Sequence, residues 1–213
     1  MERENLSKKA YKYLLTEILK NNFKMGDPIS EVKIAKELQI SRSPVREAIR
    51  QLEVEGIVKN LSSRGTFVAE FTIQDIYELF ELRKIFEIQA LKDSFPRLNS
   101  DVLKEMKNKI EKLNIKEIQP EKFYKIDAEF HSLFINLCGN TRLISFYNQL
   151  IKQLDIVRRI SAKNPKHFEV SKKFHLQILD ALIDQNKEKA IVVLQKHLEN
   201  VQHETEIVLM LKD

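Results

Sequence analysis

Apolar and polar positions alternate with a helical period along most of the chain. Ala10, Tyr13, Leu14 and Ile18 recur three or four apart, which predicts a helix over Leu6 to Asn22. Met25-Gly26-Asp27-Pro28 reads as a turn, and Ser30 as the cap of a short helix through Leu38 with Ile34, Ala35 and Leu38 inward. Gln39-Ile40 is a second turn. Ser41 then stands where an N-cap hydroxyl would accept an amide one turn in. Pro44 is tolerable in the first turn, where its missing N–H leaves no bond unmade. Val45, Ile49 and Leu52 recur at i, i+4, i+7 and form one apolar face, while Arg42, Arg46 and Arg50 recur every four residues on another. That basic face is either a solvated stripe or a nucleic-acid reader. Gly56 suits a helix stop that needs a left-handed residue. Ile57 to Leu61 and Thr66 to Phe71 are β-prone runs joined by Ser62-Ser63-Arg64-Gly65, a short hairpin. Three helices followed by a basic-tipped hairpin predict a winged helix-turn-helix.

From Thr72 onward every periodic segment is helical. Thr72 and Asp75 resemble a capping box ahead of a long helix to about Phe95, interrupted by Pro96. Further helices are expected from Ser100 to Leu113, from Pro120 to Cys138, from Thr141 to about Ile160, after Pro165 to about Asp184, and from Lys187 to near Leu211. Gly139-Asn140 stops the second of these. The fold expected is mostly α: a winged helix-turn-helix over 1–71, then an all-α six-helix bundle over 72–213. The junction near Ala69–Thr72 leaves almost no linker, so the two domains should be mechanically coupled.

Bulk properties narrow the function classes. With 43% hydrophobic residues among 213, and few Gly and Pro, the chain can bury two real cores. The net charge is +5. Residues 1–70 hold 13 basic and 10 acidic residues, so the excess is mildly N-terminal and permits nucleic-acid binding without demanding it. One cysteine, Cys138, leaves no internal disulfide framework and suits a reducing cytoplasm. No apolar run reaches ~18 residues, so no membrane partner is expected, and Met1 to Asn5 is too polar for a signal peptide.

Asp127 and His131 lie four apart on one predicted helix face. His175 and His197 lie mid-way along the last two helices. Each of the four sits among apolar neighbours. A histidine on an apolar face is more often a satisfied core residue than a ligand. One Asp and three His converging in a bundle core would instead suit zinc first, with nickel, manganese or iron as alternatives, more than calcium or magnesium. His167, near a helix start, is expected on the surface, and His203, six residues past His197, on another face.

These residues suggest a family. Ser30-Glu31-Val32-Lys33-Ile34-Ala35-Lys36-Glu37-Leu38, then Ser41 to Glu53 with its Ser-Arg-Ser-Pro-Val-Arg-Glu-Ala run, then Gly56-Ile57-Val58 and Arg64-Gly65-Thr66-Phe67-Val68 resemble the GntR transcription regulators. The remainder resembles the FCD effector domain of their FadR-type branch, in its shorter VanR-like form. Its marks are Glu81-Leu82-Arg83 with Glu87, Asp127-x-x-Phe130-His131, Gly139-Asn140, His175-x-x-Ile178-Leu179-Asp180-Ala181-Leu182 and His197-Leu198. The resemblance implies a cytoplasmic homodimer on a palindromic double-stranded DNA operator. Arg42, Ser43 and Arg46 would meet base edges or phosphates, Ser41 and Arg50 phosphate, and Arg64 and Gly65 would bring the wing tip near the minor groove. Many relatives have arginine where this chain has Val32, so one charged contact is lost.

The resemblance also implies that Asp127, His131, His175 and His197 hold a divalent metal. A small carboxylate effector would complete its coordination. Arg83 is a candidate second anchor, since guanidinium pairs bidentately with carboxylate; a structural ion pair with Glu87, four residues on, explains it equally well. The expected function is a ligand-responsive, non-enzymatic DNA-binding regulator acting as a repressor. Two rivals share the same residues. One is a regulator whose effector is the metal itself. The other is a metal-dependent hydrolase, for which the nearest carboxylate, Glu129, points away from the Asp127/His131 face.

Overall fold

The computed structural model describes residues 2–161 and 165–211. Met1, Lys212 and Asp213, included in the expected domain ranges, and Ala162 to Asn164, ahead of the expected fifth bundle helix, lie outside the described residues. The chain divides into two compact units: Met1–Thr72 with Ile151–Arg159, and Ile73–Leu150 with Ile160–Asp213. A single cut after residue 71 therefore misses one short stretch, Ile151–Arg159, which groups with the N-terminal unit.

That unit holds α1 (Glu2–Leu19), α2 (Glu31–Leu38) and α3 (Arg42–Val54). Its strands are β1 (Pro28–Ile29), β2 (Val58–Leu61) and β3 (Gly65–Val68), in the order β1-β3-β2 and antiparallel throughout. α1 packs on α3. Ala10, Leu14 and Ile18 are buried on the first, and Val45, Ala48, Ile49 and Leu52 on the second, as the periodicity requires. Gly56 follows α3 with φ +69°, the left-handed stop expected of it.

Two local expectations need correction. Ser41 occupies the N-cap position of α3, but its side chain makes no capping bond; the extended backbone alone starts the helix. The stretch read as a plain turn before Ser30 ends in a strand. Pro28 and Ile29 pair with Phe67 and Thr66 at the sheet edge, where a proline leading a strand forfeits no ladder bond.

The second unit is helical: α4 (Ile73–Ser94), a short 3₁₀ turn Phe95–Arg97, α5 (Ser100–Glu111), α6 (Pro120–Ile135), α7 (Thr141–Ser161), α8 (Pro165–Ile183) and α9 (Lys187–Met210). α7 enters it with its N-terminal half. α8 packs on α5 and α9, and α4 on α6 and α9. Asn99 caps α5 by accepting from the amides of Asp101 and Val102, so Ser100 is already the first helical residue. α6 ends at Ile135, three residues short of Cys138, and Gly139 turns the chain at φ +78°. Arg97 donates to the carbonyls of Leu137 and Cys138 there, at 2.9 and 3.1 Å. Among the described residues no helix is long and apolar enough to cross a membrane.

Candidate metal centre and nucleic-acid interface

Three helices of the bundle converge on one point. α6 brings Asp127 and His131 on a shared face, α8 brings His175, and α9 brings His197. None of the four is more than 2% exposed. One ligand atom from each lies within 4.8 Å of the others. His175 Nε2 and His197 Nε2 face each other at 3.1 Å. Asp127 Oδ1 lies 3.4 Å from His175 Nε2 and 3.8 Å from His131 Nε2. Metal–nitrogen bonds of about 2.0–2.1 Å set neighbouring ligands about 3.0–3.4 Å apart; the 3.1 and 3.4 Å separations match this and the 3.8 Å one is wider, so the donor set could close on a divalent transition ion. Two opposed imidazole nitrogens share at most one proton between them, and a cation would satisfy both lone pairs. His197 Nδ1 is buried with no hydrogen-bond partner among the described residues, which an ion at Nε2 would leave unchanged. Burial first, then the neighbouring His175 and His131, hold its pKa well below the ordinary value, so the ring stays neutral and able to ligate.

The walls are aromatic and charged by turns. Phe130 stacks on His175 with centroids 4.2 Å apart. Behind His131 stands an ion-pair network on α4. Arg83 and Glu87 are both fully buried, and Arg83 Nε donates to Glu87 Oε1 at 2.6 Å. Glu87 Oε2 lies 2.7 Å from His131 Nδ1, which leaves Nε2 toward Asp127 as the ligating atom when Nδ1 carries the proton. Tyr147 of α7 donates to Glu87 Oε1 at 3.0 Å. Burial alone would raise the Glu87 pKa, but Arg83 and then His131 outweigh it and bring it down to about 2. Arg83 Nη2 lies 3.2 Å from His131 Nε2, while Arg83 Nη1 is buried without a hydrogen-bond partner among the described residues. The i, i+4 ion pair expected of Arg83 is present.

Sequence spacing identified the Arg83–Glu87 pair but not the Glu87–His131 link or Tyr147. Those contacts join residues 44 and 60 apart in sequence, and no local pattern signals them. His167 is a correction: it was expected on the surface, yet it is 8% exposed, beside Phe168 in the aromatic cluster with Phe123 and Tyr124. A histidine one turn into a helix faces inward when that turn packs. His203 is exposed, and Cys138 is a buried free thiol. Glu129 is half-exposed and ion-paired with Lys109.

In the N-terminal unit, Ser41, Arg42, Ser43, Arg46 and Arg50 are all exposed along α3. Arg64 and Gly65 are exposed at the hairpin tip, where Gly65 has φ +92°. Val32 is 56% exposed at the start of α2, an apolar side chain in solvent.

Comparison with known proteins agrees with this two-part layout. The FCD domain model matches residues 78–200, and the model for bacterial regulatory proteins of the gntR family matches residues 6–68. The Nta operon transcriptional regulator of Aminobacter aminovorans is 25% identical over 185 residues, covering 84% of this chain and 87% of that one. A GntR regulator structure from Rhodococcus sp. RHA1 shares the fold, with TM-score 0.79 at 23% identity over 93% of this chain and 96% of the other. The Zn2+-bound FCD domain of TM0439 is 29% identical, with TM-score 0.58, over 66% of this chain and 98% of that one. Since the FCD match alone spans more than half of the residues and the gntR match fills the winged unit, the chain belongs to the FCD-containing branch of the GntR family of bacterial transcription regulators.

Proposed function

We propose that this regulator is a homodimeric repressor whose hold on a palindromic operator is controlled by a small carboxylate bound at a metal in the bundle. The metal would be held by Asp127, His131, His175 and His197, with zinc the first choice. The observation that carries the reading is the convergence of four buried donor atoms within 4.8 Å beside a buried guanidinium with an unmet Nη1. A buried N–H without a partner is costly, and an incoming carboxylate would satisfy it. The Zn2+-bound FCD domain of TM0439 supports the choice of metal. Bound metal supplies a Lewis-acidic position for the effector carboxylate. The chain's own residues do the rest: Glu87 fixes the His131 ring, Phe130 keeps His175 in place, and Arg83 meets the second end of the acid.

The proposed carrier of the response is α7. Tyr147 on its bundle half bonds Glu87. Two turns on, in the stretch that groups with the N-terminal unit, Gln153 Nε2 donates to the Glu55 carbonyl at 2.9 Å and Lys152 Nζ to Glu55 Oε1 at 2.6 Å. Glu55 is the C-cap of α3. One helix therefore bonds both the support of His131 and the end of the DNA-facing helix. The effector must favour one arrangement over the other for any switch to occur.

Elemental analysis of the full-length protein tests the metal centre. Wild type should bind close to one transition ion per chain, and His175→Ala should lose it. Wild type that neither holds nor takes up metal would defeat the site. The rival in which metal alone is the effector shares these ligands and is separated by comparing operator affinity with metal alone and with metal plus a carboxylic acid.

A further inference from the structure

Two of the arginines that face outward on α3, Arg42 and Arg46, are held by one carboxylate. Glu31 is the first residue of α2. Its carboxylate takes Arg46 side-on, Nε donating to Oε1 at 3.0 Å and Nη2 to Oε2 at 3.0 Å. Arg42 Nη2 donates to the same Oε2 at 3.3 Å. The Glu31 side chain is 23% exposed, whereas those of Arg42 and Arg46 are 59% and 52% exposed. The bond from Arg46 holds the Glu31 carboxyl below the usual range, with Arg42 adding to it against a partial desolvation cost. Glu31 is therefore ionised at neutral pH.

A carboxylate on a DNA-facing surface is unfavourable by charge alone, because it repels phosphate. Its use must lie in what it orients. A guanidinium has five N–H donors. The side-on clamp takes Nε–H and one Nη2–H. It leaves both Nη1 hydrogens and the second Nη2 hydrogen at the outer end. That free fork matches the O6 and N7 acceptors of guanine in the major groove. Arg42 and Arg46 are also one helical turn apart and repel each other, and the shared carboxylate fixes the pair in one arrangement. The next residue, Val32, brings no competing charge to this edge.

We propose that Glu31 is a positioning residue that sets operator specificity, clamping Arg46 by its Nε edge so that its outer fork reads a guanine. This rests on the operator binding proposed above and on Arg46 reading a base there, the role the family resemblance implies for it. The ligand class is thus a half-site with a guanine at the position facing Arg46.

The test uses the full-length protein. Wild type selects a consensus from a randomised duplex pool. Fluorescence anisotropy then compares that consensus with a shuffled duplex at one salt concentration, for wild type, Glu31→Ala, Glu31→Gln, Arg46→Ala and the Glu31→Ala/Arg46→Ala double variant. Thermal melts by circular dichroism check that each is folded, and Glu31→Gln keeps the side chain's size if alanine unfolds the unit. Both Glu31 variants should lose roughly tenfold or more of the consensus-over-shuffled preference. Affinity for the shuffled duplex should hold or rise. The loss should fall at one guanine, and the double variant should lose no more than Arg46→Ala alone. A Glu31 variant that tightens both duplexes equally, or losses that add in the double variant, would overturn the proposal: Glu31 would then be a charge brake or an independent contact. If Arg46→Ala itself keeps the preference, it is the base-reading role of Arg46 that fails, and the clamp has nothing to orient.

Discussion

His131 shows how much a single side chain depends on its support. Its Nδ1 is 2.7 Å from Glu87, and Glu87 is in turn gripped by Arg83 and Tyr147. Carboxylates behind a metal-bound imidazole fix its tautomer and its direction. Glu87→Gln keeps the shape but removes the charge and can present the wrong group to Nδ1. It should weaken metal binding by roughly 10–100-fold, read by competition with a chelating dye. An affinity equal to wild type would show that the carboxylate is only a counter-ion for Arg83. At the same scale, the sequence made the proposed ligands legible as a group. Asp127 and His131 share a face by the helical period, and His175 and His197 stand out as polar residues in apolar runs. The carboxylate and phenol behind them were not legible as supports, because a contact between separate helices leaves no trace in local spacing. Ser41 shows the converse: its residue type and position are those of a cap, yet the hydroxyl makes no capping bond.

At the scale of elements, the apolar stripes fixed the type of each long helix, and Gly56 and Gly139 marked two of the stops by their positive φ. β1 was invisible because it is two residues long and exists only by pairing with β3 across the intervening helices. The division of α7 was invisible too, since its periodicity is unbroken from Thr141 to Ser161 while its two halves pack in different units. Gln153 sits close enough to Gly56 that a Cβ there would come within 2.7 Å of its amide nitrogen, so glycine serves both the turn and the contact. Gln153→Ala removes the bond to the Glu55 carbonyl and leaves the metal ligands untouched. If α7 relays the response, this variant should bind metal and carboxylate as wild type does by calorimetry. The effector's influence on operator affinity should shrink several-fold. A full response in Gln153→Ala would place the relay elsewhere.

For the whole molecule, the proposal makes a basic-faced winged unit and a bundle with a buried His and Asp cluster the output and input of one regulator. Net charge alone decided little, since +5 is spread over both parts. The pattern of α3 and the wing, and the convergence of α6, α8 and α9, are what the proposal of a DNA-reading, ligand-responsive protein rests on. The direct measurement is the affinity of the full-length protein for its selected operator duplex in three states: metal stripped by a chelator, metal restored, and metal restored with each of a panel of small carboxylic acids. A carboxylate-responsive centre should show at least one acid that changes operator affinity by roughly 5–150-fold, the usual span of such coupling. That response should disappear in the stripped protein and in His175→Ala. Operator affinity that follows metal alone, or an acid response that survives without the metal, would contradict it.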